Sequence, residues 1–187
     1  MKLINTILLF VVLGFSANAQ ISLNGVNLPA KLVHQQTELV LNGGGVRKKM
    51  FFKVYVVGLY LSEKNKNAHE IYPADKPMAL RLQITSSMVS SNNMSEAIRE
   101  GFNQSTGGKI APLKDKIDAF IQTFAKEKIT QGNIFDIYYV PGVGVQTFKN
   151  NKLQSTIDGL DFKKALFGIW LADMPVDDHL KKGLLGL

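Results

Sequence analysis

The sequence predicts an α+β domain, a largely antiparallel sheet with helices packed on one face. Three observations lead there. Between residues 21 and 84 the apolar residues alternate, or run together, over strand-sized lengths. From residue 93 to residue 124 their spacing becomes helical. After residue 134 three strand-like runs follow one another across tight turns, and the chain closes on helical pattern.

Ile21–Leu28 reads as two short strands around Asn24-Gly25, a hairpin signal. Lys31–Leu41 is mixed and extended. Phe51–Leu61 is rich in Phe, Val, Tyr and Leu, so a long strand covered on both faces is predicted. In Met78–Ile84, Leu80, Leu82 and Ile84 alternate with Ala79, Arg81 and Gln83, the mark of a half-buried strand. Asn93 and Glu96 have the spacing of a capping box, which predicts a helix from there to about Gln104, ended before Gly107-Gly108. Pro112 suits a first helical turn. Beyond it Leu113, Ile117, Phe120, Ile121 and Phe124 form one apolar stripe, read as core packing. Strands are predicted at Ile134–Val140, Val143–Phe148 and Leu153–Ile157, with Pro141-Gly142 and Asn150-Asn151 as turns, hence an antiparallel meander. Asp161–Ala172 reads as an apolar helix. Pro175 opens a last one, to about Lys182, ended by Gly183.

The chain has 187 residues, and its first nineteen read as a signal peptide. Lys2 is followed by an apolar core, Ile7 to Phe15, and by Ala17-Asn18-Ala19, a small-x-small cleavage pattern. That core falls short of the roughly 20 apolar residues of a spanning helix. A mature domain from Gln20 onward, periplasmic or secreted after cleavage near Ala19, is expected. There is no cysteine, so the domain holds itself by packing and has no thiol chemistry. The net charge is +7. For an exported protein that balance suits an anionic ligand or a peripheral contact with anionic lipid rather than nucleic acid.

Motifs of the familiar chemistries are missing. His34, His69 and His179 stand in separate predicted elements, with no HExxH and no metal spacing. No GxSxG occurs. Gly43-Gly44-Gly45 precedes a strand, so it is not a dinucleotide fingerprint. Asp177-Asp178 fall in a first helical turn, where carboxylates complement the helix dipole. No cofactor or metal is expected. Attention therefore falls on Arg47, which follows the three glycines as if projecting from a constrained turn. A guanidinium grips a carboxylate with two parallel hydrogen bonds. Tyr55, on a strand otherwise nearly apolar, needs a partner for its hydroxyl. Together they could hold an anionic head at the mouth of an apolar cleft. From the residues alone the better reading is an exposed Arg47 that pairs with a surface carboxylate.

The stretch GGGVRKKMFFKVYVVGLYL closely resembles the entry strands of the chalcone isomerase-like family, and FKKALFGIWLADMPVDDHLKKGLLG its paired C-terminal helices. The resemblance is nearest to secreted bacterial members. It implies an open-faced β-sandwich, a large antiparallel sheet under a layer of helices. The family includes isomerases that close a chalcone to a flavanone, and non-catalytic members that bind fatty acids. Arg47 stands where the isomerases carry a pocket arginine. Tyr55 stands where they carry a threonine and where fatty-acid binders resemble this chain in having tyrosine. The isomerases' Tyr, Lys and Asn along one helix align with Met94, Ala97 and Gly101, and a threonine of the penultimate helix aligns with Ile169. Those four residues supply none of the donors that ring closure needs.

The resemblance thus implies a monomeric carrier or sensor for a small amphipathic anion such as a fatty acid. Arg47 would grip the head with Tyr55 assisting, and Phe51, Val57, Phe167 and Trp170 would line the pocket. An isomerase or lyase acting on an unsaturated carbonyl compound, and an envelope interaction module without ligand, are the alternatives. The carrier needs a pocket between sheet and helices. On one straight strand Arg47 and Tyr55 would stand roughly 27 Å apart at about 3.4 Å per residue. Sharing a ligand therefore requires a sharp turn near Lys48-Lys49.

Overall fold

The computed structural model describes residues 20–187. The expected signal peptide, residues 1–19, lies outside them. Nine strands are present among the described residues. β1 (Ile21–Leu23) and β2 (Val26–Leu28) form a hairpin of their own. β3 (Lys31–His34), β4 (Thr37–Lys49), β5 (Phe52–Leu61), β6 (Met78–Ile84), β7 (Ile134–Val140), β8 (Gly144–Lys149) and β9 (Lys152–Ile157) lie side by side in chain order, every pair antiparallel. The predicted three-strand meander is the last three strands of this seven-stranded one. Helices α1 (Ala68–Ile71), α2 (Ser91–Ser105), α3 (Lys114–Ala125), α4 (Leu160–Leu171) and α5 (Asp178–Leu184) complete the α+β architecture.

Alternation decides which residues meet the helices. Val57, Leu59, Leu80, Leu82, Phe135 and Ile137 share one core with Phe102, Phe120, Phe162 and Phe167 of the helices. The stripe of α3 contributes Ile117, Phe120, Ile121 and Phe124 as predicted. The opposite face is not wholly open. Leu28 of the β1–β2 hairpin and Leu41, Val56, Tyr60, Ala79 and Tyr138 of the sheet form a second, smaller core there. On that face Arg81 donates twice to its register partner Asp136, at 2.6 and 2.8 Å.

Three local expectations are corrected, and the turn required near Lys48-Lys49 is present. Gly43, Gly44 and Gly45 are not a turn: they lie inside β4, paired with Leu59, Gly58 and Val57. Their missing side chains make room. A Cβ on Gly43 would stand 2.3 Å from the Gly183 carbonyl oxygen, one on Gly45 2.6 Å from Leu180, and one on Gly44 2.5 Å from Leu28. α5 thus rests on one side of the β4 backbone and the β1–β2 hairpin on the other. Gly183 does not end α5 but lies within it, because its own Cβ would meet the Gly44 carbonyl oxygen at 2.7 Å. α2 starts earlier than Asn93: Ser90 is the cap, its hydroxyl accepting from the Asn93 amide at 3.2 Å. Val89 before the cap and Met94 in the first turn are both buried, the positions of a hydrophobic staple. Finally β4 and β5 make one hairpin whose two-residue tip is Met50-Phe51, just beyond the Lys48-Lys49 at which a turn was required.

Candidate functional site

The hairpin makes Arg47 and Tyr55 direct cross-strand partners. Both side chains lie on the helix-bearing face, since Tyr55 is in phase with Val57 and Leu59. Side chains so placed stand about 5 Å apart at Cβ. The separation of a straight strand therefore vanishes.

Tyr55 is buried, and its hydroxyl oxygen accepts from Trp170 Nε1–H at 3.0 Å. Burial pushes the phenol up to about 12, against smaller opposing pulls from the Trp170 hydrogen bond and the Arg47 charge. The hydroxyl is protonated at any physiological pH. No acceptor for its proton is found among the described residues. Arg47 is about one-quarter exposed, at the rim. Its Nη1 donates to the Lys48 carbonyl and, at 3.2 Å, to Asp177 Oδ2. Asp177 is also the α5 cap, its other oxygen accepting from the Leu180 amide at 3.0 Å. One carboxylate thus starts the helix and neutralises the arginine. Arg47 does pair with a carboxylate, but one that belongs to the rim of the site.

Of the expected lining, Val57, Phe167 and Trp170 are buried in the same core as Tyr55. Phe51 is not: at the hairpin tip it is 95% exposed, because the turn carries it past the end of the sheet. Behind Arg47 and Tyr55 these side chains are part of the packed core. Two concavities, of about 230 and 270 Å³, lie elsewhere and include neither Arg47 nor Tyr55.

Two of the four aligned positions, Gly101 and Ile169, form an apolar contact here. A Cβ on Gly101 would stand 2.8 Å from Ile169 Cγ2, so α2 and α4 touch where those two residues meet. Met94 is buried and Ala97 exposed.

Two residues were misjudged or missed by sequence reasoning. Asp177 was assigned only to the helix dipole; nothing along the chain says that Arg47, 130 residues away, is its partner. Lys163 was passed over within α4. It is fully buried, and its Nζ donates to the carbonyls of Tyr72 and Ala74 at 2.8 and 2.6 Å and of Ile71 at 3.4 Å. It also lies 5.2 Å from the centre of the Tyr139 ring. Burial lowers its amine to about 8, partly opposed by Asp75. A lysine at an otherwise apolar helical position, as in DFKKALFG, was the available signal.

The chalcone isomerase-like family model matches residues 19–186, and the chain belongs to that family. A solved structure similar to it is a fatty-acid binding protein of Arabidopsis thaliana, 17% identical, with a TM-score of 0.73. The similarity covers 89% of this chain and 96% of that one. At that identity the likeness defines the fold. Among curated proteins none matches the sequence.

Proposed function

We propose that this is an exported protein, periplasmic or secreted, that binds a fatty acid or similar amphipathic carboxylate as a carrier or sensor, without catalysing a reaction on it. The observation that carries this reading is the facing pair. Arg47 offers charge, and Tyr55 offers a hydroxyl proton without an acceptor, at one rim of an apolar interior. Asp177 supplies from within the chain the carboxylate that a ligand would supply from outside. The ligand head takes the place of Asp177, and its acyl chain enters by parting α4 and α5 from the sheet.

Ring closure needs donors around a developing oxyanion, and the aligned positions hold Met94, Ala97, Gly101 and Ile169, with Gly101 packed against Ile169. Export rests on the N-terminal sequence pattern. The fatty acid rests on the family's binding members and on the name of the Arabidopsis neighbour.

Native mass spectrometry of the purified protein beside Arg47→Ala tests the proposal. Added mass matching fatty acids in the wild type, lost in the variant, is the expected result. No adduct in either, even after fatty acid is added, overturns it. Trp170, the single tryptophan, donates to Tyr55, so its emission should shift as the site fills.

A further inference from the structure

The β4–β5 hairpin ends in Lys48-Lys49-Met50-Phe51-Phe52-Lys53. Met50 is 83% exposed, Phe51 95% and Phe52 51%. Single exposed apolar residues are ordinary, but three in succession at a projecting tip need an occupant. Stability does not explain them. Met50 sits at φ 55, in the left-handed region that favours glycine. The turn that follows β6 adds to the same end. Thr85 donates its amide to the Val54 carbonyl and its hydroxyl to the Lys53 carbonyl, at 3.1 and 3.2 Å. Met88, three residues on, is 59% exposed.

The charged residues within this stretch, 48–53, are all lysines. Lys48 and Lys53 are opposite one another in register, and Lys49 faces Phe52. All three are exposed, and among the described residues no carboxylate pairs with any of them. The polar contact that Lys53 Nζ makes is with a neutral amide, Asn24 Oδ1, at 3.0 Å. Apolar side chains at the apex with lysines set back along both strands fit an anionic bilayer surface. The apex reaches the boundary between headgroups and acyl chains, and the ammonium groups stay at the phosphates.

We propose that the β4–β5 tip docks the protein on an anionic lipid surface, Met50 and Phe51 entering the headgroup–acyl boundary and Lys48, Lys49 and Lys53 binding phosphate. An acidic protein partner would satisfy the lysines but gives no reason for an unenclosed Phe51. The docking does not require Arg47 to hold a ligand, so failure of the fatty-acid adduct leaves it standing. The purified protein should float with vesicles rich in phosphatidylglycerol and not with vesicles of phosphatidylcholine, and high salt should release it. Phe51→Ser should weaken binding about tenfold or more, and Lys48→Gln and Lys49→Gln about fivefold each. These side chains are exposed, so circular dichroism and melting should match the wild type. Phe51→Trp should emit at shorter wavelength on phosphatidylglycerol vesicles and be quenched by bromine on the acyl chains. Three outcomes would overturn the proposal. They are no flotation with anionic vesicles at low salt, equal flotation of wild type and tip variants, and capture by a polyglutamate surface without vesicle binding.

Discussion

Asp177 has two carboxylate oxygens and two tasks, and they can be separated. Asparagine caps a helix as well as aspartate does, so Asp177→Asn keeps the bond to the Leu180 amide and removes the charge facing Arg47. A partly exposed pair of this kind contributes about 1 kcal/mol. Fatty-acid affinity should therefore rise about fivefold in Asp177→Asn, read by Trp170 emission, while Arg47→Ala abolishes it. Lys163 makes a second residue-scale prediction. Lys163→Met leaves the Ile71, Tyr72 and Ala74 carbonyls, buried or half-buried, without their donor and should lower stability by about 3 kcal/mol in urea denaturation. Its pH dependence has a definite sign. Unfolded, the amine titrates near its ordinary 10.5; folded, near 8. Between those values the unfolded chain holds a proton that the folded protein has released, so wild-type stability climbs with pH. The gap between wild type and Lys163→Met should widen from pH 8 to about pH 9.5. A constant gap would mean that burial does not depress this amine.

Among the elements, the contact of α5 on β4 has little tolerance, and it should respond in a graded way. Gly43→Ala sets a methyl group against the carbonyl oxygens of Gly183 and Leu184 at 2.3 and 2.7 Å, backbone on backbone. Gly45→Ala meets the tip of Leu180, which can turn aside. Overpacking costs about 1–3 kcal/mol, so Gly43→Ala should fall at the top of that range and Gly45→Ala at the bottom. The α2–α4 contact behaves alike: Gly101→Asn should destabilise by about 2 kcal/mol, and Ile169→Ala in the same chain should recover part of the loss. Strands and long helices were legible because burial imposes period two or period 3.6 on them. The triple glycine was not. Glycine frees the backbone for a turn, but it also lets two backbones approach, and only the position of α5 decides between these uses. Phe51 was misplaced for a related reason. Lys49, Met50 and Phe51 carry no Gly, Asn or Pro, so nothing local announced that the chain reverses there.

At the scale of the whole molecule the site joins distant parts of the chain. Arg47 and Tyr55 were legible as chemistry, and the hairpin that pairs them was not. The β4–β5 pair lies near the front of the described chain, whereas Trp170 and Asp177 lie near its end. On the proposed function, ligand entry would be felt by α5 and by the β4 residues beneath it. Hydrogen exchange should show α5 amides less protected than those of β5 and β6, which are paired on both sides. Fatty acid should change protection in α5 and β4 and leave β7–β8 unaltered. A change spread evenly over the sheet would place the ligand elsewhere.

The same arrangement sets the order in which the protein can be completed. During synthesis each strand of the meander needs only the neighbour made just before it, or one separated from it by two helices. The glycine face of β4 must wait for α5: Asn42 donates to the Leu184 carbonyl at 2.8 Å across 142 residues of chain. Such a distant closure is slow and comes late. A nascent chain stopped before Asp177 carries a paired sheet with the β4 backbone bare and Arg47 without its carboxylate. Residues 177–187 thus act as the clasp of the fold, and until they arrive the rim of the site lies open.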